Sequence, residues 1–300
     1  MGVTQLTAIQ ASTFQPTIWS GALLHNYYEI SALPLITKKA PKIVGNQLVY
    51  NLASPISVNL TTTGVTDGTI DLQSIDTTAL KIDMDQVAQW GFQIQNLTEV
   101  QTNLDLISAE MYEAAMGNDQ AISQQVYQDI FKSAGVNLGT VTINTINAYD
   151  TLVNMAMELN KAKVPKFGRY FVIDNDFLGM LAKDYRFTAD PNVLANGIVE
   201  GRKIAGCEIV VTTELNYTPA TTGTNPTNAT GQAFLIQKDG YGWGMQFDEI
   251  QYIDKTLGKM VKAVQGQSLY GFGVLRPNNI IACTTSYSNA APEEVEVPAD

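Results

Sequence analysis

The 300-residue sequence predicts an α+β protein built around one long helix, and three observations support this fold class. Residues 98–131 repeat apolar positions at helical spacing. Residues 42–81 are rich in threonine and contain few large apolar side chains, as in an exposed β-hairpin. After residue 231 a series of strand-like runs replaces the helical spacing. The helix therefore separates a long β excursion from a lobe that contains both helices and strands.

The helical pattern extends from Thr98 to Phe131. Thr98 and Gln101 have the Thr-x-x-Gln form of a capping box, which predicts the start of the helix. A continuous helix of this range would be about 50 Å long, which is longer than a small domain is wide. We expect it to bend at Gly117 and Asn118, which interrupt the pattern. The apolar positions are Val100, Leu104, Ile107, Met111, Ala114, Ile122, Val126 and Ile130.

The excursion at residues 42–81 begins with a strand over residues 42–52 and reverses at Asp67-Gly68, a pair typical of hairpin turns. Two arms of this length could reach about 65 Å at the strand rise per residue. Because an isolated hairpin is marginally stable in water, we expect it to lie on other protein. Residues 82–95 return as a strand.

The two ends of the chain differ in character. Residues 1–16 are expected to form a loose arm, followed by a short helix whose apolar side includes Trp19 and which must dock to be stable. The sequence ends in an acidic segment flanked by prolines, expected to be disordered.

The region between these ends alternates helices and strands. We expect helices at 147–163 and 175–187, strands at 169–174 and 207–212, and an exposed loop at 216–231. Further strands are predicted from residue 233 to residue 286.

Composition excludes several classes of function. The net charge is −11 and no basic block is present, so binding to nucleic acid through phosphate neutralisation is not expected. Only 16% of residues are charged, and such a surface is suited to protein–protein contact. No apolar run is long enough for a membrane helix, and no signal peptide is evident, so we expect folding in the cytosol. Cys207 and Cys283 lie in apolar runs and are interpreted as buried, reduced thiols.

The sequence offers little for catalysis or for a metal. His25 is the single histidine and has no partner at metal-ligand spacing. Asp174-Asn175-Asp176 is interpreted as a helix cap, and Asp83 with Asp85 as a solvated pair. Glycine–aromatic alternations at 240–244 and 271–273 are followed by strands, so they predict close-packed β structure and not a phosphate loop. We expect a non-enzyme without cofactor, metal or catalytic residues.

Several short motifs occur along the chain, and their order is as informative as the motifs themselves. They are F-x-P-x-I-W-S at 14–20, G-N-Q-L-V-Y at 45–50, the strand-to-helix run at 83–101, VPKFGRYFVID with its helix at 164–187, GRKIAGCEIVVTTEL at 201–215 and RPNNIIACTTS at 276–286. Together they resemble the major capsid proteins of tailed bacteriophages, which have the Hong Kong-type capsid fold.

The resemblance implies a division of the chain into five parts. These are an N-terminal arm (1–41), an extended loop (42–81), a peripheral domain (82–145 and 246–274) with spine helix 98–131, an axial domain (146–245 and 275–286) and a flexible acidic tail (287–300). It implies an assembly interface at Trp19 of the arm and at Val65, Asp67, Gly68 and Ile70 of the loop, and a hinge at Gly117 and Asn118.

The resemblance also implies partners. The chain would associate with itself in hexamers and pentamers, work with a separate scaffolding protein, a portal and a decoration protein, and enclose double-stranded DNA without specific binding or contact with a membrane. It would be assembled in the host bacterial cytoplasm and end in the virion. Some family members cross-link a lysine of the extended loop to a neighbour. Here no lysine lies between Lys42 and Lys81, so no covalent cross-linking is expected.

Other interpretations remain open at this point. An encapsulin-type bacterial compartment has the same fold, and its particles would hold an enzyme cargo in place of DNA. An α/β enzyme is disfavoured by the poverty of histidine and of convergent acids. A monomeric binding module would be distinguished by its size in solution.

Overall fold

A computed structural model describes residues 31–53, 77–95, 106–184, 203–216, 218, 230–253 and 261–288. Within these ranges the chain forms three sheets, and one long helix packs between the two larger ones. Residues 1–30 of the expected arm, the distal part of the extended loop, the helix start at Thr98 and residues 289–300 of the acidic tail lie outside the described residues.

The helices are α1 (Leu33–Ile36), α2 (Leu106–Lys132), α3 (Ala148–Lys161) and α4 (Asn175–Lys183). The first strands are β1 (Lys38–Lys39), β2 (Lys42–Val44), β3 (Gln47–Ala53), β4 (Thr77–Asp83), β5 (Gln86–Gln95) and β6 (Val136–Ile143). The later strands are β7 (Arg169–Ile173), β8 (Lys203–Ile204), β9 (Cys207–Val211), β10 (Thr230–Gln237), β11 (Tyr241–Ile253), β12 (Val261–Val274) and β13 (Ile280–Tyr287). Short 3-10 turns occupy Lys238–Gly240 and Pro277–Asn279.

The six-stranded sheet has the order β6-β13-β10-β7-β9-β8 and is covered on both faces. Every residue of β7 is buried, so its side chains alternate between two cores. Phe171 and Ile173 pack with α3 and α4, whereas Tyr170 and Val172 pack with α2. This double burial explains why the four residues of β7 after Arg169 are all apolar or aromatic.

The four-stranded sheet has the order β1-β11-β12-β5 and is covered by α2 on one face. Its central pair, β11 and β12, is a long antiparallel hairpin with a register shift between Met245 and Phe247. The Tyr241 hydroxyl donates a 2.6 Å hydrogen bond to Asp129 of α2, and this contact and burial raise the pKa of the tyrosine. Helix α2 thereby contacts both sheets.

The three-stranded sheet, β2-β3-β4, is the base of the extended loop. Gly45, with φ of 61°, and Asn46 form a turn that separates β2 from β3, so residues 42–52 are a hairpin and not the single strand predicted. The turn needs the left-handed conformation that glycine adopts without strain. Residues 82–95 likewise divide at Met84-Asp85 into the end of β4 and the whole of β5.

The three longer helices agree with the sequence-based expectations over the described residues, but the short helix α1 and the strands β1, β6 and β8 were not predicted. Helix α3 corresponds to the predicted 147–163, and the described part of the long helix is continuous from Leu106 to Lys132. Strand β6 was not predicted, because only about half of its side chains are even partly buried and its apolar signal is weak. It pairs in parallel with β13, although the sequence grouped it with the peripheral domain. Among the described residues, no helix is both long and apolar enough to cross a membrane.

Candidate assembly surfaces

Of the predicted assembly residues, only the hinge pair lies in the described structure. Gly117 and Asn118 are in the middle of α2, whereas Trp19 and the loop residues Val65, Asp67, Gly68 and Ile70 lie outside the described residues. Those predictions are therefore untested. The structure instead defines how the base of the extended loop is held and which faces of the subunit remain uncovered.

The base of the extended loop is fixed to the four-stranded sheet by side chains that occupy glycine positions. A Cβ at Gly242 would lie 2.5 Å from the Tyr50 hydroxyl oxygen, and a Cβ at Gly244 would lie 2.8 Å from Leu48 Cδ2. The Tyr50 hydroxyl donates a 2.9 Å hydrogen bond to the Lys38 carbonyl, and burial raises the pKa of Tyr50 to about 12. The glycines thus permit a close contact that any side chain would block.

A second pair of glycines makes the same kind of close contact with β4 and the residue that follows it. A Cβ at Gly271 would lie 2.7 Å from Met84 Cγ, and one at Gly273 would lie 3.1 Å from Ile82 Cδ1. The interpretation of both glycine–aromatic alternations as close-packed β structure is confirmed. The sequence did not reveal which residues these glycines pack against. Leu48 and Tyr50, for example, are nearly 200 positions from Gly244 and Gly242.

The predicted hinge region lies beside a cavity. About 450 Å³ of space separates part of α2 from β5 and β12, and a Cβ at Gly117 would meet no atom within 4 Å. Asn118 donates a long 3.4 Å hydrogen bond to Ser268 across this space. The helix is continuous here, so bending at this point stays a prediction for another conformation of the subunit.

The face of the four-stranded sheet opposite α2 is rich in amides. Its exposed glutamines are Gln89, Gln93, Gln251, Gln265 and Gln267. All of them except Gln93 line a shallow cavity of about 290 Å³, and Gln265 donates a 2.7 Å hydrogen bond to Gln251. Uncharged amides cost less to desolvate than charged groups, so this face is suited to contact with another protein. The alternation of glutamines in β5 and β12 is the sequence pattern from which this face could have been predicted.

The acid pairs have structural roles. Asp174 caps α4 by accepting a 2.7 Å hydrogen bond from the Phe177 amide, as predicted, and also accepts one from the Tyr287 hydroxyl. Burial raises the pKa of Asp174. Asp83 and Asp85 are exposed, and each accepts a hydrogen bond from a glutamine.

No catalytic constellation is evident in the described part of the chain. Its His, Cys, Asp and Glu residues form no group of three that could hold a metal. Cys207 and Cys283 are free and buried, which confirms the prediction of reduced thiols, and burial raises the pKa of Cys283 to about 12. Such a thiol is protonated and inert at neutral pH. His25 lies outside the described residues.

Comparison with known proteins identifies the fold. No protein-family model and no curated protein matches the sequence. A chain from Mycobacterium phage Che8 superimposes with a TM-score of 0.71 at 18% identity, covering 90% of this chain and 97% of that one. The capsid structure of cyanophage P-SCSP1u gives a TM-score of 0.66 at 18% identity, covering 94% and 95%. The mature capsid of bacteriophage PhiM1 gives 0.66 at 13% identity, covering 93% of each chain.

These likenesses establish that the chain has the α+β Hong Kong-type capsid fold. At such low identities, they define the fold and leave function to be argued from the surfaces described above.

Proposed function

We propose that this chain is the major capsid protein of a tailed phage, which assembles into an icosahedral shell around double-stranded DNA. The observation that best supports the proposal is the coverage of the likeness to phage capsid chains, 94% and 93% of this chain for the cyanophage and PhiM1 structures. If the capsid chains were similar to the α/β lobe alone, the comparison would not account for the arm and the extended loop.

The fixed base of the extended loop supplies the physical reason for assembly. Leu48 and Tyr50 bind the loop to the subunit at one end, and some 20 residues beyond β3 have little apolar content of their own. The interface would comprise Trp19 of the arm and the loop residues Val65, Asp67, Gly68 and Ile70, covered by neighbouring subunits. Many weak contacts repeated around a closed lattice produce a strong shell.

The division of the chain follows from this function. The arm (1–41) and loop (42–81) join neighbours, and the peripheral domain (82–145, 246–274) and axial domain (146–245, 275–286) form the tile. The pairing of β6 with β13 favours a boundary nearer residue 135. Gly117 and Asn118 would let α2 bend when the shell expands.

The partners are those of a shell protein. Copies of the chain form hexamers and pentamers, with a separate scaffolding protein, a portal and a decoration protein. The negative charge, repeated over many copies, keeps packaged DNA from adhering to the wall. Assembly takes place in the host cytoplasm, and the product is the virion shell. The chain has no enzymatic role, and without a lysine in the loop its shells dissociate in hot detergent to monomers, without a covalent ladder.

A deletion tests the proposal. Residues 56–74 are replaced by a short Gly-Ser linker, which retains Leu48, Tyr50 and the whole of β4. The variant is expected to be soluble and folded but to form no shells by size-exclusion chromatography and negative-stain microscopy. Normal shells from this variant would contradict the assigned role of the loop.

A second deletion provides the matched control. Thr218 and Thr230 are joined by two backbone hydrogen bonds of 2.8 and 3.0 Å, so the segment between them can be shortened without opening the sheet. This variant is expected to form normal shells with the scaffolding protein. Particles purified from infected cells should contain DNA. An enzyme cargo in its place would identify an encapsulin-type compartment.

A further inference from the structure

One end of the six-stranded sheet gathers positive charge in an otherwise acidic protein. Strand β13 runs parallel to β7, since both are antiparallel to β10. Both strands therefore begin at the same end of the sheet. The loop before β7 contains Lys163 and Lys166, the turn after β10 contains Lys238, and the segment before β13 contains Arg276.

Backbone hydrogen bonds bring these segments together. The Lys238 amide donates 2.9 Å to the Gly168 carbonyl, and the Arg276 amide donates 3.0 Å to the Gly240 carbonyl. We call Lys163, Lys166, Phe167, Lys238 and Arg276 the basic end. Asp239 follows Lys238 directly, and the pKa of Asp239 is lowered by a hydrogen bond from Lys38 and, more weakly, by the charge of Arg276. Asp239 is thus already paired with Lys38, at 2.6 Å.

The loop that contains Lys163 and Lys166 is held in place by a buried side chain. Buried Arg169 donates 2.6 Å to the Val164 carbonyl, 2.8 Å to the Pro165 carbonyl and 2.9 Å to the Asn160 side chain. The Arg169 guanidinium therefore holds this loop in place, whereas the exposed cationic side chains around it can bind a partner. A clamped loop loses little conformational entropy when it binds a partner.

Phe167 stands at the tip of the same loop with 73% of its surface exposed. It is the most exposed of the large apolar side chains in the described residues. A rigid, exposed aromatic between lysines suits a partner segment that is both acidic and apolar.

The acidic tail has this composition. Its last eight residues are Glu293-Glu294-Val295-Glu296-Val297-Pro298-Ala299-Asp300. Valines alternate with glutamates, so an extended tail could pair carboxylates with lysines and a valine with Phe167. No other segment of this sequence combines so many acids without a neighbouring cation.

The tail leaves the opposite end of the sheet from the basic end. Strand β13 ends at Tyr287, whose hydroxyl contacts Asp174 at the end of β7. The eight residues of β13 span about 26 Å. Glu293 is five residues past Ser288 and can reach at most about 17 Å from it. The first glutamates of the tail therefore cannot reach the basic end of their own subunit.

We propose that the basic end binds the acidic tail, Glu293–Asp300, of the adjacent copy in a capsomer. The inference rests on the proposed function, because it needs subunits arranged in rings. A contact between one end of a subunit and the opposite end of its neighbour is heterologous, and such contacts form a ring when the rotation between subunits closes, as it does in a capsomer. The tail is then a strap that joins neighbours around a hexamer or pentamer.

Zero-length carbodiimide coupling tests the contact in assembled particles. Shells are formed from an equal mixture of ¹⁴N- and ¹⁵N-labelled full-length chains, treated with carbodiimide, and digested for mass spectrometry. We expect tail glutamates to couple to Lys163, Lys166 or Lys238 at least about tenfold more than to the exposed lysine Lys183, since the tethered tail has a high local concentration. We also expect mixed-isotope products.

Two results would overturn the inference. Equal coupling to Lys183 would mean that the tail is free, and products of a single isotope would mean that the contact is within one chain. Shells without mixed-isotope coupling overturn the strap alone. Failure of the unmodified chain to assemble under any condition overturns the proposed function and the strap with it.

A charge exchange gives an independent test. Lys163→Glu with Lys166→Glu, and Glu293→Lys with Glu294→Lys and Glu296→Lys, should each lower the temperature at which shells dissociate. The variant that carries both sets of substitutions should recover at least half of the decrease in dissociation temperature. Additive losses would contradict the contact. If the loop variant fails to fold, the tail variant decides alone, because a normal dissociation temperature at low salt would also contradict it.

Discussion

The six-stranded and four-stranded sheets bury their faces differently, and the difference shows which sheet leaves a surface open to another protein. The six-stranded sheet is covered by α3 and α4 on one face and by α2 on the other. The four-stranded sheet is covered by α2 on one face, whereas its second face is covered only in part, by the base of the extended loop, and elsewhere exposes glutamines and Val87. The first sheet supplies stability to the subunit, and the second is available for assembly.

The largest expected effect comes from the doubly covered sheet. Phe171→Ala should lower the free energy of unfolding by about 3–5 kcal/mol, because it leaves a cavity in a fully buried layer. Denaturant unfolding of the unassembled subunit measures this. Phe167→Ala is the matched control on the same lobe and should change the value by less than about 0.5 kcal/mol. Similar losses from both variants would contradict the proposed difference in burial.

The next largest effect concerns the attachment of the loop base. Gly242→Val should cost about 1–3 kcal/mol, because the new side chain overlaps the Tyr50 ring. Gly179→Ala serves as control, since a Cβ there meets no atom within 4 Å and alanine favours the helix. Adding Tyr50→Ala to Gly242→Val should recover part of the loss. Unfolding midpoints that show no such recovery would place the strain elsewhere.

A smaller, pH-dependent effect is expected at Asp174. Burial raises the pKa of this acid above 3.8 in the folded protein, so the folded state holds the proton more tightly than the unfolded state. Its contribution to stability is therefore greatest at low pH and is lost as pH rises through the folded pKa. Asp174→Asn keeps the cap but cannot ionise, and its stability relative to wild type should rise from pH 4 towards neutrality. A constant difference in urea midpoint across this range would contradict the assignment.

The smallest expected effect on the subunit lies at the predicted hinge. Gly117→Ala should stabilise α2 by about 0.5–1 kcal/mol, because the space around Gly117 is open and alanine is the better helix former. In shells the same change should slow expansion, which light scattering can follow. Unchanged expansion kinetics in a stabilised subunit would remove the hinge from the proposal. Gly179→Ala again supplies the helix-only control.

Much of the architecture could be predicted because it depends on local periodicity. The apolar spacing of α2, α3 and α4 and the continuous apolar run of β7 specify their own structure. The cap at Asp174 and the buried thiols of Cys207 and Cys283 were also evident locally. Strand β6 was missed because its burial comes from pairing with β13, some 145 residues later.

The sequence by itself determined the order of helices and strands, the scarcity of chemistry, and the glycines that mark close packing. Only the tertiary structure decided what those glycines contact, which part of the four-stranded sheet stays open, and that lysines and an arginine from three separate segments meet at one end of the other sheet. The physical reason is that these are contacts between distant segments. Their energies depend on distances and shapes that no local pattern of residues contains.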